Sequence, residues 1–225
     1  ISSAADGGND VTFSNMNDNN STVIVTGSTT STEGAIGTRT IDGDADSVDL
    51  TIGQATVNGQ TFTALTFNDA ETLNVTVNQS LNGATATATT IGGTDLQTLT
   101  VSGAGKLTIT AFGGATLMTK IDASASTGGV TLAGTGYANA TIHGGSGADV
   151  VTAAPTGLAN LSLGAGNDTV DFDATLTALD VVDGGDGTDT LTISGGNFFM
   201  VSKLIVVIVC AIAPNPITFQ YGACS

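Results

Sequence analysis

The chain has 225 residues, 40% of them apolar, with 31 glycines, 39 threonines, two glutamates (Glu33 and Glu71) and no tryptophan. Its net charge of −16, from 20 acidic and 4 basic residues, excludes a nucleic-acid backbone as partner and points to cations instead. Both cysteines, Cys210 and Cys224, fall close to the end, so no disulfide framework organises the rest.

The chain opens on "ISSAADGG", with neither Met nor a basic–apolar leader. This suggests a processed product, a fragment, or export by a route that needs no N-terminal signal. Threonine, valine and isoleucine favour strands, and no stretch has convincing helical periodicity. Residues 1–95 read as an irregular β-rich region, either a sandwich or a degenerate solenoid. It contains the runs "STVIVTG", "DSVDLTIG", "QTFTALTF" and "ETLNVTV", and "TATATTIGGTD" marks a change of element. Two acidic stretches lie inside it. "IDGDADSVDLTI" places Asp42, Asp44 and Asp46 at alternate positions, like the opening of an EF-hand. Ser47 and Gly53 stand where that loop needs glycine and glutamate, so an EF-hand is rejected. "DGGNDVTF", with Asp10, is a looser candidate for metal.

Residues 96–195 alternate apolar and polar through "QTLTVSG", "KLTIT" and "GVTLAG", the period of half-buried strands. A longer period then emerges. Three glycine-rich turns end in Asp149, Asp168 and Asp189, and Ile121 precedes Ile142 by a similar step. A repeat of about 20 residues predicts stacked solenoid rungs, about 4.8 Å apart. The expected fold is therefore all-β, a parallel β-roll or β-helix with a more irregular N-terminal part.

Residues 196–225 form an apolar tail of uncertain origin. The run Leu204–Ala213 is 10 residues long, against about 20 for a membrane span. It reads as a buried strand or as a cap over the open solenoid end, and no membrane span is expected.

The glycine turns carry the chemistry. "GGSGADVVT" (Gly144, Gly145, Ser146, Gly147, Asp149) fits the nonapeptide G-G-x-G-x-D-x-U-x, with Val151 as the apolar U. "LGAGNDTVD" (Leu163, Gly164, Gly166, Asp168) fits except for Leu163 at the first position. "GGDGTDTLT" (Gly184, Gly185, Asp186, Gly187, Asp189) fits throughout. Calcium takes six to eight oxygens, roughly 2.3–2.6 Å away. Glycine lets a tight turn aim its carbonyls at an ion, and aspartate adds a short hard carboxylate. Steps of 19 and 21 residues predict whole rungs, so all three turns fall on one edge, with two calcium sites between them. The intervening stretches "AAPTGLAN" and "DATLTALD" lack the motif. Aligned on "AGNDTVDF", Asp46 takes the ligand position of a worn repeat.

These repeats resemble the calcium-binding repeats of bacterial RTX proteins, which are exported by type I secretion. The threonine-rich, tryptophan-free strands "LQTLTVSGAGKLTITAFGG" and "MTKIDASASTGGVTLAGTG" are similar to those of RTX-type surface-layer (S-layer) proteins. The resemblance implies calcium-filled β-rolls, an extracellular location on the cell surface and calcium-driven self-assembly, with cell-surface polysaccharide as a further partner. The tail after Gly196 lies outside the likeness.

Two other functions compete: a secreted adhesin that binds ice or another surface, and the calcium-binding appendage of a secreted enzyme. Thr-x-Thr pairs at 61, 98, 108, 175 and 188–192 invite the first, but their linear spacings do not repeat near 20. Catalysis in this chain is not expected. His143 is its one histidine, and neither H-E-x-x-H nor G-x-S-x-G occurs.

Overall fold

The strand Ser47–Ile52 reads SVDLTI, and Val48, Leu50 and Ile52 are buried while the residues between them are partly exposed. Thr72–Val77 repeats the pattern with Leu73, Val75 and Val77. Such strands need partners on both sides and a covered face. In the computed structural model both needs are met by winding the chain into a parallel β-solenoid. The structure describes residues 20–25, 32–33, 46–52, 60–62, 65–68, 70–78, 85–88, 90–133, 136–137, 139–152, 160–172, 180–193, 207–208 and 218–221. No helix occurs among them, and none is long and apolar enough to cross a membrane.

Among the described residues the first face stacks nine strands in chain order. They are β1 (Asn20–Val25), β3 (Ser47–Ile52), β6 (Thr72–Val77), β9 (Thr98–Gly103), β12 (Lys120–Ser126), β14 (Thr141–His143), β16 (Asn160–Ser162), β18 (Val181–Asp183) and β20 (Val207–Ile208). The second face stacks β2 (Thr32–Glu33), β4 (Gln60–Phe62), β7 (Thr85–Ala88), β10 (Lys106–Ile109), β13 (Val130–Leu132), β15 (Val150–Thr152), β17 (Thr169–Asp171), β19 (Thr190–Ile193) and β21 (Thr218–Tyr221). Every pairing is parallel, as the sequence predicts. Strands on both sides of residue 95 belong to the same faces, and the described early strands pair as a solenoid does, not as a sandwich. In the tail, β20 pairs with β18 and β21 with β19.

Inward residues line up rung above rung. On the first face Val48, Leu73, Leu99, Ile121, Ile142, Leu161 and Val182 share one register column, all buried. On the second face Ile109, Leu132, Val151, Val170 and Leu191 do the same. Each fully buried aliphatic chain contributes about 1.5–3 kcal/mol of transfer free energy. The core is thus a continuous apolar filament with no single centre.

A third face, unforeseen in the sequence, covers the early rungs. It consists of β5 (Leu65–Thr66), β8 (Ile91–Gly92) and β11 (Phe112–Gly113). "QTFTALTF" therefore holds two strands, β4 and β5, that belong to different faces. The extra side explains the longer early rungs, with 25 and 26 residues between stacked partners such as Asp49 and Asn74 or Thr76 and Ser102. Tyr137 stands where this face ends. It is buried, lies edge-on to Phe112 at 5.1 Å, and donates its hydroxyl to the Thr152 carbonyl at 3.1 Å. Burial pushes its phenol well above the usual range. Tyr137→Phe should cost about 1 kcal/mol through that bond, seen as a fall of roughly 2–4 °C in melting temperature.

Outward residues of the second face also form a row: Thr108, Thr131, Val150, Thr169 and Thr190 follow one another in register and are partly exposed. The same backbone register column holds Thr32, Thr61, Thr87 and Thr218. The linear spacings of the Thr-x-Thr pairs predict no such row. They mislead because the rungs differ in length and because the pairs fall on different faces, Thr98 in β9 and Thr108 in β10.

Candidate metal centre

The three glycine turns connect the first face to the second in successive rungs. Val150 pairs with Thr169 and Thr169 with Thr190, so Asp149, Asp168 and Asp189 occupy equivalent positions. The turns bind one another through their backbones. Gly144 N donates to Ser162 O at 2.8 Å, Ala165 N to Gly145 O at 2.8 Å, Gly166 N to Asp186 O at 2.8 Å, and Asp186 N to Gly164 O at 2.8 Å. The steps of 19 and 21 residues are whole rungs.

Glycine serves two different ends here. Gly164 and Gly185 are left-handed (φ 93° and 82°), as are Gly166 and Gly187 (φ 140° and 142°), a conformation that residues with a Cβ rarely adopt. Gly145 and Gly147 in the first turn are not left-handed. A Cβ on either would strike backbone atoms of the preceding turn, Ser126 O or Gly129 N. Leu163, which departs from the motif, turns its side chain into the core and is 1% exposed. Ser146 and Asp186 are exposed and join their neighbours through backbone groups, Ser146 N donating to Ser126 O, Asp186 N to Gly164 O, and Asp186 O accepting from Gly166 N.

Asp149 and Asp168 are buried, and Asp189 is partly exposed. Their column continues upward into Val130 and Leu107, both core residues. Asp149 is 0% and Asp168 1% exposed, so carboxylates sit where earlier rungs place aliphatic chains. Each reaches back one rung. Asp149 Oδ1 accepts from Val130 N at 2.6 Å, Asp168 Oδ1 from Asp149 N at 2.8 Å, and Asp189 Oδ1 from Asp168 N at 3.0 Å. Asp149 Oδ2 accepts from Gly145 N at 3.0 Å, whereas Asp168 Oδ2 is buried with no partner.

Burial raises the Asp149 carboxyl, against the opposing bonds from Val130 and Gly145. Burial also raises Asp168, to about 7, with Asp149 and Asp189 adding repulsion from either side. Folded Asp168 thus holds a proton that the unfolded chain has already released, in the absence of a cation. The sign follows from linkage: the penalty is absent below about pH 4, grows as pH rises, and is complete above 7. With a chelator present, urea midpoints should be higher at pH 5 than at pH 7.5.

These features fit a hard cation. An orphaned buried carboxylate oxygen and like charges one rung apart are both relieved by a divalent ion. No group of three or more histidine, cysteine or acidic side chains converges among the described residues. An ion here would draw much of its shell from turn carbonyls, as glycine-rich turns allow. Lys106 also bears on the stack, and nothing in the motif signals it. Its Nζ donates to Ala148 O at 3.4 Å, two rungs down, and its charge opposes the upward shift of Asp149.

Comparison with protein-family models, with characterised proteins and with solved structures finds no match to this chain. Its site therefore has to be read from its own residues.

The other candidates fall elsewhere. Asp46 does not join the glycine-turn stack: it leads into the first face at β3, on the edge opposite those turns. Asp10, Asp42 and Asp44 lie outside the described residues, as do Cys210, Cys224 and the stretches 153–159 and 173–179. His143 is exposed at the end of β14.

Proposed function

We propose that the protein is a calcium-binding, non-enzymatic structural protein of the bacterial cell surface. On this reading it is an RTX-type S-layer subunit or part of one, located outside the cell and assembling with copies of itself in a calcium-dependent way. The observation that carries the calcium part is Asp168. It is a buried carboxylate with an orphaned oxygen, flanked one rung above and below by like charges. Calcium would lie in the gaps between turns 144–149 and 163–168, and between 163–168 and 184–189. The ions neutralise the column and lock three rungs into a rigid rod, which suits a lattice component. The net charge of −16 opposes close packing of copies until cations bind. Cell-surface polysaccharide remains a partner that the S-layer resemblance alone suggests. Electron microscopy with and without millimolar calcium tests the assembly: ordered sheets or filaments that form only with calcium are expected, and monomers under both conditions overturn it.

A second reading, a surface-binding adhesin, is favoured by the outward threonine row. Thr108, Thr131, Thr169 and Thr190 are partly exposed at successive rungs, interrupted only by the near-isosteric Val150. A flat array of methyl and hydroxyl groups at strand spacing fits an ordered surface such as ice. Retarded ice growth by the calcium-loaded protein, abolished by Thr131→Tyr and Thr169→Tyr, would favour this reading over a lattice. The third reading, an appendage to a secreted enzyme, has no structural feature of its own.

A further inference from the structure

The chain carries a second stack of acids that the glycine motif does not describe. Residues 44–52 read DADSVDLTI and residues 69–77 read DAETLNVTV. The two copies are one rung apart, since Ser47 pairs with Thr72 and Ile52 with Val77. Asp46 and Glu71 hold the same place in each, two residues before the first inward residue, Val48 or Leu73. Asp149 stands in the same relation to Val151, and Asp168 to Val170.

The hydrogen bonding also repeats. Asp46 N donates to Glu71 Oε2 at 2.6 Å, just as Asp149 N donates to Asp168 and Asp168 N to Asp189. In each stack an acid in the lower rung staples the backbone of the acid above it. Asp46 is 1% exposed, and its Oδ2 is buried without a partner. Ser126 Oγ aside, the described side chains show this condition at two atoms, Asp46 Oδ2 and Asp168 Oδ2. A carboxylate oxygen withdrawn from water with no donor is costly. A second carboxylate one strand spacing away, about 4.8 Å, raises the cost unless a cation lies between them.

We propose that Asp46 and Glu71 form a further divalent-cation site, on the edge of the first face opposite the glycine turns, and that it takes calcium. Two carboxylates supply up to four oxygens, and water and backbone carbonyls complete the shell. The site ends at Glu71, because the next residue in the column, Gln97, is neutral and exposed. The ion clamps β3 to β6 in the long, three-faced rungs. The inference stands apart from the glycine-turn reading, because it uses none of those residues.

Equilibrium dialysis of the full chain against radioactive calcium tests it. Glu71→Gln keeps an acceptor for Asp46 N but halves the local charge, and should bind one calcium fewer than the parent. An unchanged count overturns the proposal. The combined variant Asp149→Asn, Asp168→Asn, Asp189→Asn should lose the glycine-turn ions and keep this one, so failure of either reading shows in its own variant. Hydrogen exchange on the unaltered chain covers the case of misfolded variants. The Asp46 and Glu71 amides should exchange at least tenfold more slowly with calcium than with a chelator, and calcium-independent exchange overturns the proposal.

Discussion

Removing calcium at pH 7.5 is expected to unfold the rungs from Thr141 to Ile193. Above pH 7 the calcium-free state must bury a charged carboxylate at Asp168, beside Asp149, in a column that higher rungs fill with Val130 and Leu107. Ligand binding stabilises by mass action, about 2.7 kcal/mol per site at a hundredfold excess over the dissociation constant. Two occupied gaps would together contribute about 5 kcal/mol, a large share of the roughly 5–15 kcal/mol available to a domain. Local unfolding is the expected form of the loss, because each rung touches only its neighbours. Chelation should reduce the far-ultraviolet circular dichroism and remove amide protection from β14 to β19. A spectrum and melting curve unchanged by chelator contradict the account.

Asp168→Asn is expected to change sign with calcium. Its amide oxygen can still accept from Asp149 N, so the bond that joins the second turn to the first survives. The charge does not survive, and neither does the carboxyl group that burial and its two neighbours raise to about 7. In chelator the variant should therefore be more stable than the parent at pH 7.5, on the order of 2 kcal/mol, and should lose most of the parent's dependence on pH between 5 and 7.5. In calcium it should be less stable by at least as much, because Asp168 borders both gaps. Paired thermal melts with chelator and with calcium check this. Destabilisation of equal size in both would mean that Asp168 acts only as a hydrogen-bonding strut.

The legible and illegible parts of this chain differ in how local their signals are. The three turns could be read because glycine, aspartate and the apolar residue of each fall within nine positions, and because the steps of 19 and 21 residues match one rung. Alternation likewise marked the runs that hold Leu99, Leu107 and Val130 as half-buried strands, and all three are core residues. The third face was hidden because β5, β8 and β11 are two residues long, too short to show any period. The threonine row was hidden because rung lengths vary, so that Thr61 and Thr108 share a column through Thr87 without sharing a simple spacing. Glu71 was missed because its partner, Asp46, is 25 residues away. The paired DADSVDLTI and DAETLNVTV copies were the available signal. That Gly145 is needed for close approach, while Gly164 and Gly185 are needed for a left-handed backbone, cannot be told from three identical letters.

The most direct test is a crystal structure of the full chain grown in millimolar calcium. An ion is expected in each gap of the stack formed by residues 144–149, 163–168 and 184–189, with Asp168 bordering both. Each ion should have six to eight oxygens, carboxylate and carbonyl, at about 2.3–2.6 Å. Stacked turns without ions, with the Asp149, Asp168 and Asp189 carboxylates bonded only to backbone N–H groups, would contradict it.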